Sequence, residues 1–230
     1  GETKWVDLGD EEDLYLPRVK WVPDSSGVFF QKENRGQIKL ELIFADANTA
    51  STRSVIMETS DTWINLNHGL TFLKNGYEFL WQSERSGFSH IYHYKNDGSL
   101  INQLTDGDWV VNGSIAANEE KGEVYFIGNA TDYLERHLYS VPLNSNKEKK
   151  PKKISKRAGW HTVSIAGGGQ SYIDNFSNPE TPPQVSIHNM DGSRLMWIEE
   201  NQLKQGHPYY AYKQSHIYPE FGVIENNDGD

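Results

Sequence analysis

The sequence contains no cysteine, which excludes disulfides, thiolate metal sites and cysteine nucleophiles together. It has no long apolar run and a mean hydropathy of −0.71, so no segment reads as a membrane-spanning helix. The first thirteen residues are polar and acidic and do not read as a signal peptide. Helical periodicity is nearly absent, apart from a short turn expected near residues 201–205. Positive charge is also scarce. With 22 Lys and Arg against 32 Asp and Glu, the net charge of −10 repels nucleic acid and anionic membrane at long range. The one basic run, residues 147–157, reads as a solvated hairpin tip. No Gly-x-Ser-x-Gly elbow occurs, and Gly167, Gly168 and Gly169 lead into Ser171 as the start of a strand rather than into a phosphate-cradling helix. His90 and His93 are three apart on a strand and point to opposite faces, and no carboxylate lies at ligand-like spacing from the other histidines. Neither a metal nor a cofactor is expected.

What the sequence has is aromatic residues and turns. Aromatics make up 12 % of the chain, and sheet-rich proteins pack such rings between layers. Residues 63–109 contain four short apolar runs, at 70–73, 77–81, 90–94 and 100–104. They are punctuated by Asn75-Gly76, Asp97-Gly98 and Asp106-Gly107, pairs that supply the positive φ of tight hairpins. This stretch reads as one four-stranded antiparallel meander.

The unit repeats. Trp63, Trp109 and Trp160 are separated by 46 and 51 residues, and Gly27, Gly76, Gly122 and Gly169 by 49, 46 and 47. Tyr15 holds the equivalent place ahead of Trp63. Two landmarks sharing one period, with four strands per repeat, indicate the blades of a β-propeller. The fold is therefore read as all-β, with four consecutive four-stranded antiparallel blades at about 15–58, 59–104, 105–156 and 157–200. Residues 1–13, with a lone strand at 5–8, read as the end of a preceding blade. Residues 201–220 read as an ordered linker, and 221–230, with a strand at 221–225 and a hairpin turn at 226–229, as the start of another domain.

Several runs resemble the N-terminal propeller region of dipeptidyl peptidase IV-type serine peptidases: LYLPRVKWVPDSSGVFFQKENR at 14–35, ETSDTW at 58–63, FLWQSERSGFSHIYHY at 79–94, QLTDGDWVV at 103–111 and VYFIGNATDYLERHLYSV at 124–141. The resemblance implies an exported parent enzyme that removes N-terminal dipeptides after Pro or Ala, built from an eight-bladed propeller and an α/β-hydrolase domain. The four blades would be half of that propeller. The Ser-Asp-His triad would lie beyond Asp230, and the paired Glu motif that holds the substrate amine before Gly1, so no residue here inherits a catalytic role. Some members place an aromatic–Arg pair against the distal substrate pocket. Asn65, Leu66 and Asn67 stand at the corresponding positions here, so that pair is missing and these three are the candidate pocket residues. The partners expected are a peptide substrate, the hydrolase domain and, for the isolated chain, a second copy of itself. A different reading of the same blades is a free-standing propeller that binds a protein or a glycan.

Overall fold

In a computed structural model, residues 2–10, 13–66, 68–144 and 150–225 are described, without the side chain of Ser114. The first sheet contains β1 (Leu14–Tyr15), β2 (Val19–Trp21), β3 (Gly27–Asn34), β4 (Lys39–Asp46) and β5 (Thr52–Thr59). Both β1 and β2 pair with β3, at Tyr15↔Glu33 and Val19↔Phe30, so they are two halves of one first strand. Pro17 breaks it, because its ring removes a ladder donor. The second sheet is β6 (Thr71–Phe72), β7 (Glu78–Ser83), β8 (His90–Lys95) and β9 (Leu100–Gln103). The third is β10 (Val111–Asn118), β11 (Glu123–Gly128), β12 (His137–Pro142) and β13 (Lys152–Lys153). The fourth is β14 (Trp160–Ile165), β15 (Ser171–Asn178), β16 (Thr181–Asn189) and β17 (Arg194–Glu199). Each is an antiparallel meander in chain order.

The sheets are joined face to face by three apolar seams. Phe29, Leu40 and Leu42 of the first sheet meet Phe79, Trp81, Tyr92 and Tyr94 of the second. Leu80 and Ile91 of the second meet Val124, Phe126 and Tyr139 of the third. Tyr125, Ile127 and Leu138 of the third meet Val163 and Tyr172 of the fourth. Adjacent residues of a strand point to opposite faces, so Phe79 and Leu80, or Tyr125 and Phe126, enter different seams. A strand covered on both faces cannot alternate apolar with polar residues, which is why these runs are continuously apolar. Ring ladders reinforce the seams: Phe79 stacks on its cross-strand partner Tyr94 at 5.6 Å, and Phe126 on Tyr139 at 5.8 Å.

Two further contacts recur at the repeat interval. Gly98, in the turn before β9, packs on Val55 O of the first sheet, and Gly192, in the turn before β17, packs on Ile154 O beside β13. Their φ values of +93° and +85°, together with the absence of a Cβ, permit that approach. The corresponding turn of the third sheet falls at 145–149, outside the described residues. Buried histidines supply the other contact. His90 Nδ1 lies 3.1 Å from Thr105 Oγ1, its Nε2 donates to Gly107 O at 3.0 Å, and its ring sits against Trp109. His137 Nδ1 lies 2.8 Å from Ser155 Oγ, its Nε2 2.6 Å from Glu135 Oε2, and its ring packs on His161 of the next sheet. Each hydroxyl also accepts a backbone N–H, from Ile91 and Leu138 respectively.

The ends of the chain depart from the strands expected there. Residues 5–8 are not a strand. They lie over the outer face of the first sheet, where Val6 and Leu8 cover Phe30, Ile43 and Ala45, and a segment over a face has no edge ladder to join. Residues 221–225 carry no strand pairing, and the turn expected at 226–229 lies outside the described residues. The turn expected near 201–205 closes at 204–207, where His207 N donates to Lys204 O at 2.9 Å, and a 3₁₀ helix follows at Tyr210–Ser215 after Pro208, whose fixed φ suits a turn start. The landmark Trp residues are not equivalent in environment, since Trp109 is buried in the second seam while Trp63 is 63 % exposed.

A Cβ at Gly98 or Gly192 must displace backbone and hold an unfavourable φ. Gly98→Ala and Gly192→Ala are therefore each expected to lower unfolding free energy by ~1–3 kcal/mol in urea titrations, whereas the unobstructed Gly36 is expected to tolerate Ala. Burial, opposed by the hydrogen bond to Glu135, holds the His137 pKa below its ordinary value. The unfolded chain then takes up a proton near pH 6.5 that the folded chain resists, so stability declines as pH falls through that region. The urea midpoint is expected to drop between pH 7.5 and 5.5, and His137→Gln to show a smaller drop over that interval.

Candidate functional site

In antiparallel sheets joined in chain order, hairpins between second and third strands share one rim with the crossovers from sheet to sheet. Backbone bonds stitch these two kinds of loop together. Ile64 N donates to Gln37 O at 2.7 Å, Val111 N to Ser89 O at 2.8 Å and His161 N to Arg136 O at 3.0 Å. The candidate residues lie on the first of these crossovers, residues 60–70. Ile64 and Leu66 pack on the first seam and anchor it. Arg18 of the first sheet reaches both ring nitrogens of His68, and Lys20 Nζ donates to Leu70 O at 2.7 Å.

This anchoring leaves Asn65 exposed, with both ends of its amide engaged. Trp63 Nε1 donates to Asn65 Oδ1 at 3.2 Å, and Asn65 Nδ2 donates to Glu84 Oε2 at 2.9 Å. The Asn65–Glu84 contact stands between two clefts. One, of about 590 Å³, is lined by Trp63, Glu58, Ser83 and Arg85. The other, of about 680 Å³, is lined by Leu66, His68, Gln82, Ser89 and Asn112. The structure thus brings Asn65 and Leu66 to one rim position, and Asn67 lies outside the described residues.

A polar cluster absent from the sequence expectations backs the smaller cleft. Glu58 Oε1 accepts from Trp81 Nε1 at 2.7 Å and pairs with Arg85, which also donates to Tyr94 OH and lies over the Tyr92 ring at 4.7 Å. Burial disfavours the charged Arg85, but Glu58 and Tyr94 outweigh it and hold the guanidinium pKa above its ordinary value. Burial likewise raises the Tyr94 pKa, against the opposing effect of Arg85. Tyr94 therefore stays a neutral phenol and Arg85 a fixed cation behind an acidic rim.

The rim can present donors and acceptors to an extended ligand but holds no activated nucleophile among the described residues. Ser155, His137 and Glu135 do form a hydroxyl–imidazole–carboxylate chain, yet Ser155 is 2 % exposed, His137 is 0 % exposed, and Ser155 Oγ is already occupied by the Leu138 N–H. His90 makes the same clasp with Thr105 and a backbone carbonyl in place of an acid. The arrangement therefore belongs to the seams. Three histidines meet carboxylates in single contacts rather than at metal-ligand spacing: Glu78 at His93 (2.9 Å), Glu135 at His137 (2.6 Å) and Asp174 at His161 (2.8 Å). For His93 and His161 the partner is a diagonal neighbour on the paired strand, a relation that linear spacing does not reveal. No cluster of three or more metal-ligating side chains occurs among the described residues, and no described helix is long and apolar enough to cross a membrane.

The profile of the family described as "Dipeptidyl peptidase IV (DPP IV) N-terminal region" matches residues 1–183. Dipeptidyl peptidase 4 of Trichophyton equinum is 29 % identical over 192 residues, covering 80 % of this chain and 24 % of that protein. Dipeptidyl peptidase 4 of Trichophyton rubrum gives the same identity and coverage. The crystal structure of Porphyromonas gingivalis dipeptidyl peptidase 4 aligns with a TM-score of 0.84 at 22 % identity, over 99 % of this chain and 32 % of that one. The chain therefore spans about a quarter to a third of the length of these proteins. With the profile covering most of its length and four successive antiparallel meanders in place, the chain belongs to the dipeptidyl peptidase IV N-terminal region family, and its sheets are blades of a β-propeller.

Proposed function

We propose that this chain is the non-catalytic propeller portion of a serine exopeptidase that releases N-terminal dipeptides after Pro or Ala, and that its crossover rim gates and shapes the substrate cavity. The observation that carries this reading is the Asn65–Glu84 contact, which stands between two clefts on a rim with exposed hydrogen-bonding groups and no solvent-open nucleophile–base pair among the described residues. A ring of blades over an active site restricts access by size and removes the substrate from bulk water. Asn65, Leu66 and Asn67 are assigned to the distal wall of the cavity, and the triad to a hydrolase domain outside this sequence. Such an enzyme acts in an exported compartment. Residues 1–13 belong to a preceding blade, 201–220 to a linker and 221–230 to the hydrolase. The exposed Phe221, Val223 and Ile224 accord with burial against that domain. In isolation, Leu195, Met196 and Ile198, each more than half exposed on β17, favour pairing with a second copy.

In the full-length protein, release of Gly-Pro from a chromogenic dipeptide amide is expected, with none from residues 1–230 alone. Glu84→Ala is expected to raise KM several-fold for peptides of four or more residues while kcat stays within about twofold. Full-length protein inert toward every dipeptide amide would remove the peptidase reading, and KM unchanged at every peptide length would take the rim out of the substrate path.

A further inference from the structure

The third seam opens outward in a cleft of about 150 Å³, room for about five water molecules by their share of liquid volume. It shares no residue with the clefts beside Asn65. Three cationic side chains line it: Lys156, Arg157 and Arg194. The two guanidinium groups lie over aromatic rings, Arg157 at 3.8 Å from the Phe176 centroid and Arg194 at 4.1 Å from that of Trp197. Stacking fixes the plane of a guanidinium and leaves its N–H edge free to meet an oxyanion. Arg157 uses one donor on Gln184 Oε1 at 2.7 Å, and neither Lys156 nor Arg194 forms an ion pair with a described carboxylate. In a chain of net charge −10, three cations gathered on one small cleft, with Asp174 acting on Arg157 and Asp191 on Lys156, are unexpected on electrostatic grounds.

Asp174 also lines the cleft. It is 3 % exposed, its Oδ2 accepts from His161 Nδ1 at 2.8 Å, and its Oδ1 has no hydrogen-bond partner. A buried carboxylate with one oxygen lacking a donor is costly, and a cation brought against that carboxylate offsets the cost. His161 Nε2 meets Arg157 O at 2.9 Å, so a single imidazole sets the position of Asp174 relative to the Arg157 backbone. Burial, and after it the like charge of Arg194, disfavour the charged Arg157 against an opposing attraction to Asp174, and both guanidinium groups line the one small cleft.

We propose that this cleft binds a small zwitterion of the α-amino-acid type, its carboxylate held by Arg157 and Arg194 and its ammonium by the Asp174 carboxylate. A bare anion satisfies the guanidinium groups but brings no cation to Asp174, whereas an amino acid satisfies both and fits the volume.

Isothermal titration of the 230-residue chain with L-alanine, propionate and inorganic phosphate tests this. Propionate is alanine without the ammonium, and phosphate is an anion of different shape. L-Alanine is expected to saturate, propionate and phosphate to bind at least about tenfold more weakly, and Arg194→Gln to weaken alanine binding at least about tenfold, the loss of one charge-assisted contact. Arg194 is exposed, so the melting temperature of that variant checks that its fold is intact. Asp174→Asn is expected to erase the preference for alanine over propionate. Should that variant not fold, the three ligands and Arg194→Gln still decide. Phosphate or propionate binding as tightly as alanine, alanine binding indifferent to Arg194→Gln, or no saturation with alanine would each overturn the proposal.

Discussion

The structure depends on burying each interior blade on both of its faces. A single small sheet has too little apolar area to fold alone, and the seams supply the rest. Fully burying one large apolar side chain contributes about 1.5–3 kcal/mol, and each seam gathers several, from Phe29 and Phe79 in the first to Tyr125 and Tyr172 in the third. The glycine contacts at Gly98 and Gly192 and the histidine clasps at His90 and His137 follow from this constraint. They let neighbouring sheets approach closely and satisfy the polar groups trapped as they do so.

The same constraint locates the irregular backbone. With the strands committed to ladders and the inner ones to seams as well, the exposed polar groups of the rim lie on crossovers and hairpins whose ends the ladders hold in place. Asn65 is presented to solvent because Ile64 and Leu66 on either side of it are anchored in the first seam. The polar cluster of Glu58, Trp81, Arg85 and Tyr94 spans the first two blades, so the geometry of the rim is coupled to the packing of the seam beneath it. The basic cleft of the third seam is likewise built from residues of two adjacent blades. Sites on this scaffold form where blades meet, with neither blade sufficient alone.

Much of the fold was legible in the sequence because the repeat interval and the Asn-Gly and Asp-Gly turns are local signals. The continuously apolar 79–81 and 124–127 mark strands covered on both faces. What depends on cross-strand register was not legible. The approach of Glu78 to His93 and of Asp174 to His161 places residues 15 and 13 positions apart in contact, a distance set by hairpin length. The glycine landmark was imperfect for a related reason: Ser25 takes the positive φ in the first turn, while Gly27 already belongs to β3. Residues 5–8 and 221–225 have strand-like composition but no edge to pair with. Asn65 and Leu66 became candidates through family resemblance, since nothing in their local pattern distinguishes them from other loop residues. The Glu58–Arg85 pair, 27 positions apart, left no trace in spacing at all.

Hydrogen exchange of the native chain at low protein concentration, followed residue by residue, tests the central claim most directly. If two-sided burial is the source of stability, amides of β7, β8, β11 and β12 exchange only through global unfolding, while those of β17, exposed along nearly its whole length, exchange faster through local opening. Equal protection of β17 and β11 would contradict the account.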